Sequence, residues 1–331
     1  MVSIRKAPLI GCLVFLAAAP AAGQVGIAPE DGLRVAEAIR LAEQIQERVW
    51  PGWSAAPFEL LLVTADHEFL FGAKVPPSGW TPADSVARLS GRVWQRPRVF
   101  SPAFLATFPA FGRSPVIIIG RAEATEKTST AWVLTVMHEH FHQLQMSRPG
   151  YFDAVNALDL SRGDTSGMWM LNYAFPYDSV PVARAMAALA LELADAVEQP
   201  SAARREAFWR DYRHFLDSLG ETDRRYLRLQ LWQEGVARYV ELRAAEIAAR
   251  EFVPSREFSA LQDYEAFGIL AQRLRDGILS ELRAANLPVQ RRVLFYPFGA
   301  GLALLLDQSG ARWNSAYFDW TFLAGAGSSG P

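Results

Sequence analysis

Three of the five histidines of this chain lie within the segment His138-Glu139-His140-Phe141-His142. The pattern H-E-x-x-H, flanked by apolar residues at helical spacing, predicts a metal site on a helix rather than an exposed histidine-rich turn. Residues four apart lie on one helix face, so His138 and His142 can direct imidazole nitrogens to one ion. Glu139 lies within reach of a water at that ion, where a carboxylate can act as general base. His140 points away, and we expect it to be packed or solvated.

A zinc site needs a third protein ligand, and Glu234 is the candidate. It lies in the segment LWQEGVARYVE and is followed by Gly235 inside a strong helical pattern. Glycine inside a helix costs about 1 kcal/mol relative to alanine, so we expect this helix to approach the histidine helix closely at Gly235. The alternative is a surface ion pair of Glu234 with Arg238, which would leave the glycine unexplained.

Glu241 lies two helical turns beyond Glu234, on the same face. Its carboxylate could accept a hydrogen bond from the free ring nitrogen of a ligand histidine. A solvated helix charge is an equally good interpretation of this residue from the sequence alone.

HEHFH followed by WQEGVARYVE resembles the gluzincin zinc metallopeptidases, in particular the peptidase MA-like group and the membrane-alanyl-aminopeptidase type. In those families the H-E-x-x-H helix is followed by a helix with E-G-x-A-x-Y, whose glutamate is the third zinc ligand. The resemblance implies that His138, His142 and Glu234 bind zinc and that Glu139 is the general base.

A third motif of those families, Y-x-x-G-A, carries a tyrosine that stabilises the transition state. Tyr296-Pro297-Phe298-Gly299-Ala300 matches it, so the resemblance implies a catalytic role for Tyr296. Without the resemblance, Tyr296 is equally well a core aromatic residue at a helix start. The spacing between the second histidine and the glutamate is far longer than in the aminopeptidase type, and no segment like G-x-M-E-N is present. The resemblance therefore supports zinc peptidase chemistry better than aminopeptidase specificity.

The composition is that of an ordinary globular protein. The chain has 331 residues, of which 50% are hydrophobic and 21% charged, and its formal net charge is −2. The slight acidity and the absence of a basic stripe argue against nucleic-acid binding.

The N-terminal segment has the pattern of a secretory signal peptide over residues 1–23. Basic Arg5 and Lys6 precede an apolar stretch, and small residues follow at Ala21–Gly23, where we expect cleavage and export to the periplasm or medium. Cys12, the single cysteine, ends a lipobox-like sequence. A lipid anchor at Cys12 is the less favoured alternative, because most of the apolar stretch follows that residue. No later apolar run is long enough to span a membrane.

Hydrophobic periodicity predicts an α+β protein. Apolar runs predict strands over 58–63, 68–71 and 115–120, and helical spacing predicts helices over 31–50, 129–147, 179–198, 202–219, 222–250, 256–284 and 298–308. We therefore expect a small N-terminal mixed sheet within residues 24–126 and a larger helical part over 127–320. A helical insertion at about 150–220 and a flexible tail at 321–331 complete the prediction, with a gluzincin-like active site at the junction of the sheet and the helices.

Together these features predict a secreted zinc metallopeptidase that hydrolyses peptide bonds in a peptide or protein substrate through a metal-activated water. The alternative is a non-catalytic periplasmic binding or scaffold protein that retains a gluzincin fold. Only the enzyme needs Glu139, so its presence favours the enzyme.

Overall fold

The computed structural model describes residues 26–83, 89, 91–112, 114–310 and 312–319. The predicted signal peptide with Cys12 and the predicted tail lie outside the described residues. Within them the fold is mixed α/β, with one six-stranded sheet in the N-terminal half and helix predominating after it. In this coarse form the predicted α+β class is confirmed.

The sheet is mixed and has the strand order β3-β4-β2-β1-β6-β5. Its strands are β1 (Leu60–Val63), β2 (His67–Phe71), β3 (Thr81–Pro82), β4 (Trp94–Pro97), β5 (Leu105–Phe108) and β6 (Val116–Gly120). β1 and β6 run parallel, and every other neighbouring pair is antiparallel. β1 and β6 are buried along their whole length, which explains why both are continuous apolar runs.

The sequence predicted β1, β2 and β6 and missed the other three strands. β3 and β5 lie at the two edges of the sheet, and β4 pairs with the short edge strand β3. These three strands are at least partly exposed, and β3 and β4 both end in proline. Short, partly exposed strands at or next to a sheet edge carry neither an apolar run nor a clear alternation, so their sequences give little signal.

Helices make up most of the remaining structure. They are α1 (Pro29–Val49), α2 (Ser129–Ser147), α3 (Tyr151–Asn156), α4 (Trp169–Asn172), α5 (Val180–Glu198), α6 (Ala202–Ser218), α7 (Glu221–Gln230), α8 (Val236–Glu251), α9 (Arg256–Ser259), α10 (Phe267–Arg283), α11 (Leu287–Gln290) and α12 (Phe295–Gln308). Among the described residues, no helix is both long enough and apolar enough to cross a bilayer.

α2 carries the histidine motif and has the bounds that the sequence predicted. Thr128 caps its N-terminus by accepting a hydrogen bond from the amide of Ala131. The helix is buried almost throughout. Trp132 donates its indole N–H to the carbonyl of Gly120 at 2.8 Å, which ties the first turn of α2 to the end of β6.

The predicted continuous helix over 256–284 is wrong. The structure has two helices there, α9 and α10, separated by a connecting segment at 260–266. The connecting segment contains Asp263 and Glu265, whose carboxylates accept hydrogen bonds from the backbone amide of Ser129 (2.9 Å) and the hydroxyl of Thr128 (2.8 Å). The non-helical segment supplies acceptors to one backbone N–H and one hydroxyl at the start of α2, a tertiary contact that local periodicity does not reveal.

The predicted helix over 222–250 contains an irregularity that the sequence did not predict. α7 is followed by one π-helical turn over Leu231–Gly235, and α8 begins directly after it. This turn carries Glu234 and Gly235.

Candidate metal centre

His138 and His142 lie on one face of α2, as the spacing predicted. Both side chains are largely buried, and their Nε2 atoms are 3.2 Å apart. Two nitrogens bound tetrahedrally to one zinc ion at 2.0–2.1 Å would be separated by about 3.3 Å. The two imidazoles therefore already have the separation that a shared zinc ion requires.

Glu234 extends from the π turn toward the same point. Its Oε2 atom is 3.4 Å from His142 Nε2 and 4.0 Å from His138 Nε2. These three side chains form the one group of potential metal ligands found among the described residues. Three protein ligands leave the fourth position of a tetrahedral zinc ion open, which is the arrangement of catalytic zinc sites.

The π turn accommodates Glu234 and its neighbours by widening the helix locally. The carbonyl oxygen of Gln233 accepts a hydrogen bond from Gln145 Nε2 at 3.0 Å, and that of Trp232 accepts one from the Tyr317 hydroxyl at 2.7 Å. Single π turns inside α-helices are frequent at functional sites. Here the turn presents a carboxylate on one side and two carbonyl acceptors to α2 and the C-terminal segment.

The expected partner of Gly235 is wrong. A Cβ atom on Gly235 would overlap the backbone of Gly299 in α12, and one on Gly299 would lie 2.6 Å from Gly235 Cα. The glycine therefore permits close approach of the helix that carries Tyr296, not of the histidine helix. The alternative pair of Glu234 with Arg238 does not form either, because Arg238 donates to Glu241 Oε2 at 2.7 Å.

Gln145 orients His142, a role that the sequence analysis missed. Its Oε1 atom is 2.6 Å from His142 Nδ1. Its Nε2 atom donates to the Gln233 carbonyl and, at 2.7 Å, to the Tyr317 hydroxyl, so the amide oxygen must face the histidine. The proton of the imidazole is thereby placed on Nδ1, which leaves the Nε2 lone pair for a metal ion.

Glu241 lies beside the other histidine. It is buried, so it is not a solvated helix charge, and its Oε2 atom is 3.7 Å from His138 Nδ1. That nitrogen is buried and has no hydrogen-bond partner among the described residues. Burial raises the pKa of Glu241, but the charge of Arg238 outweighs this effect and brings the pKa to about 2. An ionised carboxylate therefore lies just beyond hydrogen-bond distance of His138 Nδ1.

Glu139 is buried and held by the edge strand β5. Its Oε2 atom accepts a hydrogen bond from the Thr107 hydroxyl at 2.8 Å, and the same hydroxyl is 3.1 Å from the Glu139 carbonyl. Thr107 was not among the predicted site residues, because β5 itself was not predicted.

The side chains of His138, His142 and Glu234, called the triad below, lie close enough for their charges to interact. Burial lowers the pKa of His142, but the adjacent Glu234 carboxylate outweighs it and raises the pKa to about 9. Burial raises the pKa of Glu234, whereas the charges of His142, His138 and Arg292 lower it to about 2. An ionised carboxylate thus faces two buried imidazoles, and it would attract any cation able to displace the proton.

Tyr296, at the start of α12, lies against the triad. Its ring is nearly parallel to the His138 imidazole, with a centroid separation of 6.4 Å and an interplanar angle of 7°. Its hydroxyl oxygen accepts a hydrogen bond from Arg292 Nη1 at 2.9 Å. Burial and the Glu234 carboxylate both raise the pKa of Tyr296, so its hydroxyl remains a proton donor.

His140 faces away from the triad, as expected. Its ring stacks on Trp53 at 5.2 Å and is within hydrogen-bond distance of Gln143 and Gln46. Burial lowers its pKa to about 4. His140 is therefore a neutral, packed core histidine.

Comparisons of the chain with protein-family models, with curated proteins and with solved structures find no match. The chemistry of the site must therefore be inferred from its own residues. Two imidazoles and one carboxylate converge, a second carboxylate lies one residue from the first histidine, and a protonated tyrosine lies beside them.

Proposed function

We propose that the protein is a zinc metallopeptidase of the gluzincin type, with His138, His142 and Glu234 as metal ligands. The observation that carries the proposal is the convergence of the three ligand atoms, at separations of 3.2, 3.4 and 4.0 Å, from α2 and the π turn. The three short motifs of the sequence support the same function. The site would lie at the junction of the sheet and the helical part, since Thr107 of β5 holds Glu139.

The donor set favours zinc over other common metal ions. Two imidazoles and one carboxylate suit zinc, and the same set serves known catalytic zinc sites. Magnesium and calcium prefer sites made of oxygen ligands, and copper(I) prefers sulfur. A bound zinc ion would lower the pKa of a water in its open position and polarise the carbonyl of the peptide bond.

The remaining residues supply the proton transfers and the charge stabilisation. Glu139 takes the proton from the attacking water and later gives it to the leaving amine. The Thr107 hydroxyl engages Oε2 of Glu139, which leaves Oε1 to receive the proton. Tyr296 donates its hydroxyl hydrogen to the oxyanion that forms at the carbonyl, because Arg292 already donates to the tyrosine oxygen.

The test combines metal analysis with peptide hydrolysis. Purified protein should contain about one zinc ion per chain and cleave members of a quenched-fluorescent peptide library. Glu139→Gln should keep the zinc and lose activity by several orders of magnitude, since glutamine cannot carry the proton. A His138→Ala, His142→Ala double variant is the matched control that should lose the metal.

Other outcomes would reject part or all of the proposal. Protein that binds zinc but cleaves no peptide would favour the non-catalytic binding or scaffold protein. Hydrolysis that Glu139→Gln leaves intact would remove Glu139 from the mechanism. Protein that binds no zinc would reject the metal site itself.

We also propose that the protein acts outside the cytoplasm, on the strength of the predicted signal peptide. Expression of the full chain in a bacterial host and N-terminal sequencing of the product test this. A mature N-terminus near Ala21–Gly23 is expected, and an intact N-terminus in the cytoplasm would contradict it.

A further inference from the structure

Arg292 belongs to none of the motifs, yet its side chain reaches the centre of the site. It lies in the 3₁₀ turn Arg291–Leu294 that leads into α12, and it is about four-fifths buried. Its Nη1 atom is 2.9 Å from the Tyr296 hydroxyl, 3.3 Å from Gln230 Oε1 and 3.5 Å from Glu234 Oε1. This one nitrogen therefore contacts three residues, one each from α7, the π turn and α12.

A positive charge at this position opposes the binding of a cation, so we expect the Arg292 guanidinium to have another role at the site. A guanidinium beside a ligand carboxylate repels a divalent ion, and burial weakens the screening of that repulsion. The contacts of Arg292 with Glu234 indicate what the charge contributes.

The two carboxylate oxygens of Glu234 have different partners. Oε1 faces Arg292 at 3.5 Å, and Oε2 faces the two histidines at 3.4 and 4.0 Å. A carboxylate that is free to turn can bind a metal ion through both oxygens, which would make the ion five-coordinate once water is also bound. An ion pair to one oxygen prevents this, because rotation would break it.

We propose that Arg292 is a positioning residue that holds Oε1 of Glu234 away from the metal, so that only Oε2 is offered as a ligand. This inference rests on the metal site of the proposed function. The Arg292 guanidinium is held by its hydrogen bond to the Tyr296 hydroxyl, and Gln230 limits the rotation of the guanidinium from the other side. The effect would be to keep the metal four-coordinate, with water in the fourth position.

Cobalt(II) gives a readout that does not depend on activity. Full-length protein is freed of metal with a chelator, loaded with one equivalent of Co²⁺, and its visible absorption is recorded. Tetrahedral Co²⁺ absorbs more intensely than six-coordinate Co²⁺, because an octahedron has a symmetry centre that weakens d–d transitions, and five-coordinate Co²⁺ absorbs with intermediate intensity. The spectrum therefore counts ligands at the site.

Arg292→Met removes the donor and keeps most of the side-chain volume. The matched control is Arg291→Met, because Arg291 is the adjacent arginine, is half exposed and contacts Asp178 and the Tyr177 ring instead of the site. We expect wild type and Arg291→Met to give the intense tetrahedral spectrum. Arg292→Met should bind one Co²⁺ with a clearly weaker spectrum, and Arg292→Lys, which keeps a cationic donor, should restore the intensity.

The outcomes separate this inference from the proposed function. An Arg292→Met spectrum identical to that of wild type, at equal cobalt content, would overturn the role of Arg292 and leave the metal site standing. Wild-type protein that takes up no cobalt would overturn both. Circular dichroism checks the fold, and Arg292→Gln, a neutral polar variant with the same expected loss of intensity, replaces Arg292→Met if the latter does not fold.

Discussion

Gly235 and Gly299 pack backbone against backbone, with no room for a Cβ atom on either residue. Gly235 ends the π turn that carries Glu234, and Gly299 lies one turn after Tyr296 in α12. The contact therefore fixes the distance between a candidate metal ligand and the candidate oxyanion donor. Two motifs that are well separated in the sequence meet at their glycines.

The first prediction concerns this contact. Gly235→Ala should destabilise the protein by about 1–3 kcal/mol, because the new methyl group meets backbone atoms that no side-chain rotation can move. It should also weaken zinc binding, since the turn that carries Glu234 must shift. Urea unfolding and competition with a zinc chelator measure the two effects.

Gly277→Ala is the control for this prediction. Gly277 lies inside α10, where the nearest atom to an added Cβ is Glu281 Oε1 at 3.8 Å. Alanine should fit there and stabilise the helix by up to about 1 kcal/mol. If Gly235→Ala behaved in the same way, the two helices would not be packed as described.

The features of this site that depend on neighbouring residues were predicted from the sequence, and those that depend on tertiary contacts were not. The bounds of α2 were predicted because its apolar pattern and its histidine spacing are local signals. Gly235 indicated a close approach of another segment, but a glycine does not indicate which segment that is, because it can pack against any backbone. Thr107 contacts Glu139 from a distant strand, which its sequence neighbourhood does not reveal. Gln145 and Arg292 lie near His142 and Tyr296 in the sequence, but their contacts with Gln233 and Glu234 are tertiary and leave no local signal.

Thr107 should affect activity through Glu139. Thr107→Val keeps the shape of the side chain and suits a strand, but it removes the hydroxyl that donates to Glu139 Oε2. We expect kcat to fall about 10-fold or more with little change in KM or zinc content, since an unheld carboxylate spends less time in the reactive orientation. Steady-state kinetics on a cleaved library peptide measure this.

Thr107→Ser is the matched control, because it keeps the hydroxyl. Its kcat should remain close to that of wild type. Full kcat in Thr107→Val would reject the positioning of Glu139 by the Thr107 hydroxyl. A loss in Thr107→Ser but not in Thr107→Val would show that the methyl group, and hence packing, is what matters.

Gln145 should affect metal affinity. Gln145→Leu removes the acceptor for His142 Nδ1–H and leaves the Gln233 carbonyl without its donor. Loss of such an outer partner of a ligand histidine costs about 10–100-fold in metal affinity. Gln143→Leu is the control: this buried glutamine donates to the carbonyls of Glu59 and Pro115, so its loss should lower stability and leave zinc affinity unchanged. Equal zinc affinity in the Gln145 variant and wild type would contradict the prediction.

Zinc binding should depend on pH through His142. Its pKa of about 9 means that the imidazole carries a proton at neutral pH, whereas a ligand histidine must be neutral. Below about pH 9 the ion must displace this proton, so the apparent zinc affinity should fall about tenfold for each unit by which the pH is lowered. Glu234, with a pKa of about 2, stays ionised throughout and adds no dependence in this range.

Calorimetry measures this proton directly. Titrations of zinc in buffers of different ionisation enthalpy should show release of about one proton at neutral pH. His214→Gln, which changes an exposed histidine, should leave the release unchanged. A zinc affinity that did not vary with pH would show that His142 is neutral before the ion arrives.

Tyr296 should act only in the transition state. Tyr296→Phe keeps the ring against His138 and removes the hydroxyl that donates to the developing oxyanion. Loss of one such donor costs about 10²–10³ in kcat, and KM and zinc content should change little, because the bond is absent from the ground state. Steady-state kinetics with metal analysis of the same preparation test this.

The same substitution separates catalysis from packing. The lost hydrogen bond to Arg292 should lower stability by about 1 kcal/mol, which is too little to unfold the protein. Tyr239→Phe is the comparison, since Tyr239 lies on α8 and donates to Asp307 instead of facing the triad. It should lose similar stability and keep full turnover. If Tyr296→Phe also kept full turnover, Tyr296 would be a core aromatic residue, and the oxyanion donor would have to be another group at the site, with Arg292 the next to test.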